Sequence, residues 1–488
     1  MNVFNFLFEQ SYTHEKDFVI GSHLNITFKN LKEICDKLSE RLRSQIGENN
    51  QIVILSENSI FQITAYLAIL KSGNICVPLN PAIENKSLNQ ILEKTIVAYA
   101  FVSKRYKDNY KNCGFEIFDE DFIKSTESDQ NTSKVPNSTE FDDNRLAEIV
   151  FTSGSTGVQK GVLITHKNII SNTLSIIEYL KLTSEDIMEV VLPFYYCYGL
   201  SLLHTHLRVG GSIVINNNFI FIGSVLSDIK KYQCTGFAGV PSHYQILLRK
   251  TRDFKTSRFP SLRYVTQAGG RLNISFIREF VETFPDIKFY VMYGQTEATA
   301  RLSYLPPDKL STKTGSIGKG IPGVTLKVVN DKGEPINPGE TGEIIAKGDN
   351  IMKGYLNEPE DTANTIRNGW LYTGDLAQID EDGYIFIVSR KKEIIKVGGV
   401  RISPQEIEEV IVTYPGVIGC DIESIPDELL GEAIKATLYV NEDKKDSFSE
   451  DLVRKFCASK LSIHKIPQVI AFETKLPFNA SGKKSKQT

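Results

Sequence analysis

Residues 149–166, IVFTSGSTGVQKGVLITH, concentrate the groups that polyphosphate chemistry needs. An apolar run leads into Thr152, Ser153, Gly154, Ser155, Thr156 and Gly157, and Lys160 follows. Glycine frees backbone N–H groups, the hydroxyls add donors, and the ammonium adds charge. Phosphate oxygens call for several such fixed donors at once. This is not a Walker A loop, because GxxxxGK[ST] cannot be laid over it. SGSTG alone reads equally well as a flexible linker; the flanking strand and the Lys160-Gly161 pair argue for a built site.

Three further segments carry chemistry. Residues 292–299 read MYGQTEAT. Tyr293, ahead of Gly294 and Gln295, can offer its ring to a purine. Thr296 offers a hydroxyl, and Glu297 a carboxylate of the kind that holds Mg2+ beside phosphates. Residues 369–375, GWLYTGD, put Asp375 behind a glycine turn. There a carboxylate can accept both hydroxyls of a ribose, by analogy with dinucleotide folds, although an ordinary Asx-turn gives the same pattern. Near the end, LPFNASGKKSK (476–486) presents Lys483 after a Ser-Gly pair. A lysine delivered by a mobile element can neutralise charge developing between a carboxylate and an α-phosphate.

These segments need elements to position them. Apolar spacing predicts a helix over 28–42, a strand over 51–56, a helix over 59–71 ending at Gly73, and strands over 75–79 and 97–103. Strand, helix, strand at this rhythm means a parallel sheet with covering helices. Residues 125–144 are polar and read as a surface connection. Strands and helices alternate again over 146–300. Short strands with turn pairs follow over 324–389, an antiparallel segment. The stretch after Arg390, RKKEIIKVGGVRIS, brackets Ile394-Ile395 and a Gly398-Gly399 turn with cations. Ser403, Pro404 and Glu406 then form a capping box that starts a helix. About 100 residues remain, enough for a small separate domain.

Composition bounds the class. The 488 residues carry 56 basic and 59 acidic side chains, a net charge of -3 that gives no nucleic-acid footprint. Seven scattered cysteines, never spaced as CxxC, read as reduced thiols of a cytoplasmic protein, with no disulfide framework or zinc site. The N-terminus lacks a basic region and a cleavage site, so no secretory signal is expected. Residues 190–207 approach the length of a membrane span but include Pro193, Gly199, His204 and His206. A buried strand and helix are expected there, and no membrane span.

Taken together, TSGSTGVQKG, YGQTE, YTGD, SRKKEIIKVGGVRIS and the terminal Gly482-Lys483 resemble the adenylate-forming superfamily. That family includes acyl-CoA ligases, stand-alone adenylation enzymes and firefly luciferase, and the likeness spans nearly the whole chain. It implies an α/β fold whose large N-terminal domain, residues 1–390, has parallel-type sheets with helices. A small β-barrel-like subdomain over about 302–390 and a small α+β C-terminal domain, 391–488, swinging on a hinge at Lys392, complete it.

The resemblance also implies roles. Thr152 to Lys160 would embrace the ATP phosphates, and Tyr293, with Gly294 and Gln295, would pack on adenine. Thr296 would contact the α-phosphate, Glu297 would hold Mg2+, Asp375 would bind the ribose, and Arg390 would contact nucleotide. Lys483 would serve the first half-reaction. After rotation, the loop from Lys396 to Arg401 would line a pantetheine tunnel for CoA or a phosphopantetheinyl carrier protein. LPFYYCYG (192–199) resembles the segment beside the acyl pocket. Tyr196 stands where many fatty- and aryl-acid ligases have His. Cys197 stands where amino-acid-activating relatives often place an Asp, which disfavours an α-amino acid, because a buried ammonium needs a carboxylate. Gln267, Ala268, Gly269, Gly270 and Arg271 resemble one wall of that pocket.

The expected activity is ATP-dependent conversion of a small carboxylic acid to an acyl-adenylate, then transfer to a thiol, as in a fatty- or aryl-acid–CoA ligase. A stand-alone enzyme loading a separate carrier is the alternative, and a non-catalytic nucleotide-binding protein a distant one.

Overall fold

The structure is a computed structural model. It describes residues 1–21, 25–127, 141–152, 159–219, 221–251, 253–391, 393–397, 400–427 and 431–474.

Largely apolar strands fix the first sheet. Gln51–Leu55 and Ile75–Leu79 pair in parallel and are buried on both faces, as expected of central parallel strands. Val97–Val102 and Glu116–Phe118 continue on one side, and Leu146–Thr152, Lys160–Thr165 and Gly354–Tyr355 on the other. A second sheet of nine strands centres on Ile187–Val190, Gly236–Gly239, Tyr264–Gln267 and Lys288–Tyr293, all parallel. Ser303–Leu305 and Lys319–Gly320 extend its edge antiparallel.

Strand alternation divides the core. Ile52 and Ile54 face a large cluster shared with the second sheet, whereas Val53 and Leu55 face a smaller outer one. Helix Ile60–Lys71 lies in the shared layer and is buried nearly all round, so it has no polar face to show. Helix Phe28–Ile46 instead buries Leu31, Cys35, Leu38 and Leu42, a single stripe, and Thr27 caps it by accepting from the Asn30 N–H.

Apart from Gly354–Tyr355, the strands of residues 324–390 form a five-stranded antiparallel sheet, and those of residues 395–473 form another five-stranded sheet with its own apolar cluster. The chain therefore passes from one sheet to the next between Arg390 and Ile395. Helix Pro404–Ile411 starts where expected, but the capping box does not form. The Ser403 hydroxyl donates to the Val388 carbonyl (2.7 Å) and Glu406 pairs with Lys465. A tertiary carbonyl orients the hydroxyl, and no local N–H is capped.

The apolar stretch 190–207 becomes the end of strand Ile187–Val190 and helix Cys197–Val209, as expected. Among the described residues no helix is long and apolar enough to cross a membrane. The polar connection begins later than its composition suggests, because helix Glu120–Glu127 occupies its first residues; 128–140 lie outside the described residues.

A polar group is buried in the shared layer. The Tyr66 hydroxyl donates to Glu148 Oε2 (2.9 Å) and meets His204 Nε2 at 2.7 Å. Burial pushes the Glu148 carboxyl up to about 7 and the His204 imidazole down to about 3. A raised acid stabilises the fold fully below its unfolded value, near 4.5, and that contribution is lost as pH rises to about 7. Glu148→Gln mimics the protonated acid. Its melting temperature relative to wild type should climb between those two pH values, by the equivalent of about 3 kcal/mol, and level off above. Parallel pH profiles for the two proteins would contradict this.

Candidate active site

Hairpin register places the first group. Thr152 ends strand Leu146–Thr152 directly opposite Lys160, so both ends of the hydroxyl-rich loop are held at one strand-pair spacing. Ser153, Gly154, Ser155, Thr156 and Gly157 lie outside the described residues, as do Lys392, Lys483 and the side chain of Arg401.

Lys160 forms an ion pair with Asp361, and its ammonium stands 4.9 Å from the centre of the Tyr355 ring. The Tyr355 hydroxyl donates to Glu297 Oε1 at 2.8 Å. One tyrosine thus joins the lysine expected at phosphate to the carboxylate expected at metal. It does so because Gly354–Tyr355 pairs with strand Lys160–Thr165, Tyr355 opposite Val162. Among the described residues Glu297 has no ion-pair partner, and no group of three or more His, Cys, Asp or Glu could hold a metal alone. The Glu297 carboxylate suits Mg2+, which takes one or two carboxylates and completes its shell with phosphate oxygens and water. Glu297 would be its protein ligand.

The MYGQTE segment leaves the end of strand Lys288–Tyr293 and turns sharply. A Cβ on Gly294 would sit 2.0 Å from the Ala300 carbonyl oxygen, so only glycine permits this approach. Gly294→Ala should lower the melting temperature by about 5 °C or more and weaken ATP binding. An unchanged melt with unchanged affinity would remove the constraint. Gln295 stands at the start of the turn, half-buried, and Thr296 follows.

Tyr293 is buried and its hydroxyl donates to Asp375 Oδ2 at 2.6 Å. Asp375 lies opposite Arg390 in its sheet, with Arg390 Nε 3.1 Å from Oδ1. Burial raises the Asp375 carboxyl, while Arg390 and Tyr293 oppose that shift. The Tyr293 ring was expected on adenine; in this structure its hydroxyl is engaged with the carboxylate expected at ribose.

On the acid side, Tyr196 precedes helix Cys197–Val209 and its ring leans on Tyr195, centroids 4.8 Å apart. Cys197 Sγ is 3.7 Å from Thr296 Oγ1, so the acyl segment meets the phosphate segment there. Ala268 is buried, whereas Gly269 and Gly270 are exposed, with the Gln267 amide donating to the Gly270 carbonyl at 2.6 Å. Arg271 reaches across to Gln405 (3.2 Å) and pairs with Glu409 on helix Pro404–Ile411. Lys396 and Arg401 face each other in a hairpin, and the Lys396 N–H donates to Glu432. No described contact ties Lys396 to the nucleotide-side group.

Sequence reasoning missed Tyr355 and Asp361. Both lie about 200 residues from Lys160, and neither belongs to a local pattern that marks a site.

The chain matches the family model "AMP-binding enzyme" over residues 8–356 and "AMP-binding enzyme C-terminal domain" over 406–483. Oxalate–CoA ligase of Arabidopsis thaliana is 29% identical, covering 95% of this chain and 93% of the relative. 2-Succinylbenzoate–CoA ligase of Bacillus pumilus is 30% identical over 98% and 96%. The solved o-succinylbenzoate CoA synthetase (MenE) of Bacillus subtilis, in complex with the acyl-adenylate intermediate OSB-AMP, superposes with a TM-score of 0.87. It is 26% identical and covers 99% of this chain and 96% of its own. ATP-bound MatB from Rhodopseudomonas palustris gives the same TM-score and identity over the same shares. The paired strands, the Glu297 turn and the Asp375–Arg390 rung therefore sit in a member of a known lineage: the chain belongs to the AMP-binding enzyme family.

Proposed function

We propose that this protein is an AMP-forming acid–CoA ligase. The observation that carries the reading is the linked set Lys160, Tyr355, Glu297, with Tyr293, Asp375 and Arg390 beside it. One end suits phosphates and a metal, the other a ribose, and Cys197 beside Thr296 opens toward an acid. CoA ligases among the relatives support CoA as the acceptor over a carrier protein.

Two anions must meet for the first step, a carboxylate oxygen and the α-phosphorus, so catalysis is mostly positioning and charge neutralisation. Thr152 to Lys160 would hold the phosphates, with Lys160 exchanging Asp361 for phosphate oxygens. Mg2+, when bound, spreads phosphate charge. Thr296 would contact the α-phosphate and Lys483 would bridge carboxylate and phosphate as pyrophosphate leaves. The C-terminal unit, 391–488, would then turn at Lys392 and present Lys396 to Arg401 to the pantetheine arm. Its thiolate attacks the acyl carbonyl, and AMP leaves. Cys197, where an α-ammonium would need a carboxylate, supports an acid without that group. We place the protein in the cytoplasm, a reading supported by its seven cysteines, which form no disulfide.

Offering CoA or a holo-carrier protein to enzyme supplied with acid, ATP and Mg2+ tests the acceptor. Thioester should form on CoA. Acylation of carrier alone would overturn that choice while leaving adenylation standing.

A further inference from the structure

Arg301 is 3% exposed, a charged side chain inside the core. Its guanidinium carbon lies 4.0 Å from the centre of the Tyr198 ring. Nε donates to Met292 Sδ (3.3 Å) and Nη1 to the Ala300 carbonyl (3.3 Å). The backbone is fixed as well, because the Asn172 and Asn350 amides both donate to the Arg301 carbonyl, at 3.2 and 2.8 Å. Among the described residues no carboxylate pairs with it. Nearby Tyr179 and Tyr198 are phenols that burial pushes up, hence neutral.

That arrangement is costly as it stands. A guanidinium cannot shed its proton at any ordinary pH, so it cannot escape burial by neutralising. A face-on aromatic ring returns about 2 kcal/mol, less than the several kcal/mol that burying an ion costs. A carboxylate would close the gap, since the planar fork takes both its oxygens.

Position says whose carboxylate. The Tyr198 hydroxyl bonds to Thr266, the residue before the Gln267–Gly270 wall. Tyr198 follows Cys197, whose sulfur touches the Thr296 hydroxyl at the phosphate end. Through consecutive residues of one helix, Cys197 and Tyr198, the Thr296 hydroxyl and the Arg301 guanidinium therefore belong to one neighbourhood. We propose that Arg301 receives a second carboxylate at the far end of the acid, so that the substrate class is dicarboxylic: one carboxylate is adenylated and the other stays ionised against Arg301. This rests on the ligase reading above.

The test measures AMP formation by the intact enzyme with ATP, Mg2+ and CoA. Acids are offered in pairs matched in carbon skeleton: propionate and malonate, butyrate and succinate, hexanoate and adipate, 2-methylbenzoate and phthalate. At least one diacid should exceed its monoacid partner by ~100-fold in kcat/KM, the worth of a buried charge-assisted hydrogen-bond pair. Arg301→Met should erase most of that ratio through KM and leave the monoacid within ~3-fold; Arg301→Lys should keep part of it. Equal loss for both acids in Arg301→Met would mean a structural role and overturn the assignment. Should that variant not fold, the wild-type ratio decides, since monoacids that equal or beat every diacid also overturn it. AMP from monoacids alone leaves the ligase reading intact, whereas no AMP from any acid sinks both.

Discussion

Lys483→Ala should abolish adenylate formation while leaving ATP binding and thioester formation from supplied acyl-adenylate largely intact. The first half-reaction forces a carboxylate toward an α-phosphate, and one positioned cation at that point supplies what solvent cannot once the cleft closes. Losing a single fixed donor to a developing oxyanion costs ~100- to 1000-fold in other active sites, so at least ~100-fold is expected here. The second half-reaction, thiolate attack on the acyl carbonyl, follows the turn of the C-terminal unit in the proposed mechanism and uses no cation from Lys483. Measuring pyrophosphate release and adenylate-to-thioester conversion separately gives the answer. Equal loss in both would show that Lys483 supports the fold or CoA instead.

Asp375→Asn should weaken ATP by ~100-fold. The carboxylate is buried, with only 5% of its side chain exposed, and it is already aligned by Tyr293 and by its rung with Arg390. Hydrogen bonds from two ribose hydroxyls to a charged acceptor are worth about 1.5–3 kcal/mol each. Arg390 loses its partner in the variant, but with 59% of its side chain in solvent that loss is small. Calorimetric titration of ATP reads the effect directly. Because burial raises the Asp375 carboxyl, wild-type affinity should also fall as pH is lowered, and Asp375→Asn should lack that dependence. An Asp375→Asn protein that binds ATP as wild type does would remove the ribose assignment.

Much of this was legible in the sequence because the chemistry is local there. The 152–160 loop, the Tyr293–Glu297 turn and the Asp375 turn each compress donors, glycine and charge into a few residues. Central strands such as Gln51–Leu55 announce themselves by being apolar on both faces. What stayed hidden depends on pairing between distant strands. Tyr355 looks like any aromatic until Gly354–Tyr355 joins strand Lys160–Thr165 and brings its hydroxyl to Glu297. Ser403 shows the opposite failure: a correct local signal, overruled by the Val388 carbonyl that the preceding strand happens to offer. Arg301 is the clearest case, since four residues past Glu297 no local pattern marks it, and only its burial against Tyr198 draws notice.

Attack of a carboxylate oxygen on the α-phosphorus leaves a chemical record. If the acid carries ¹⁸O in its carboxylate, AMP released after thioester formation should contain one ¹⁸O, read by mass spectrometry. Unlabelled AMP, or label carried off in phosphate or pyrophosphate instead, would contradict an acyl-adenylate.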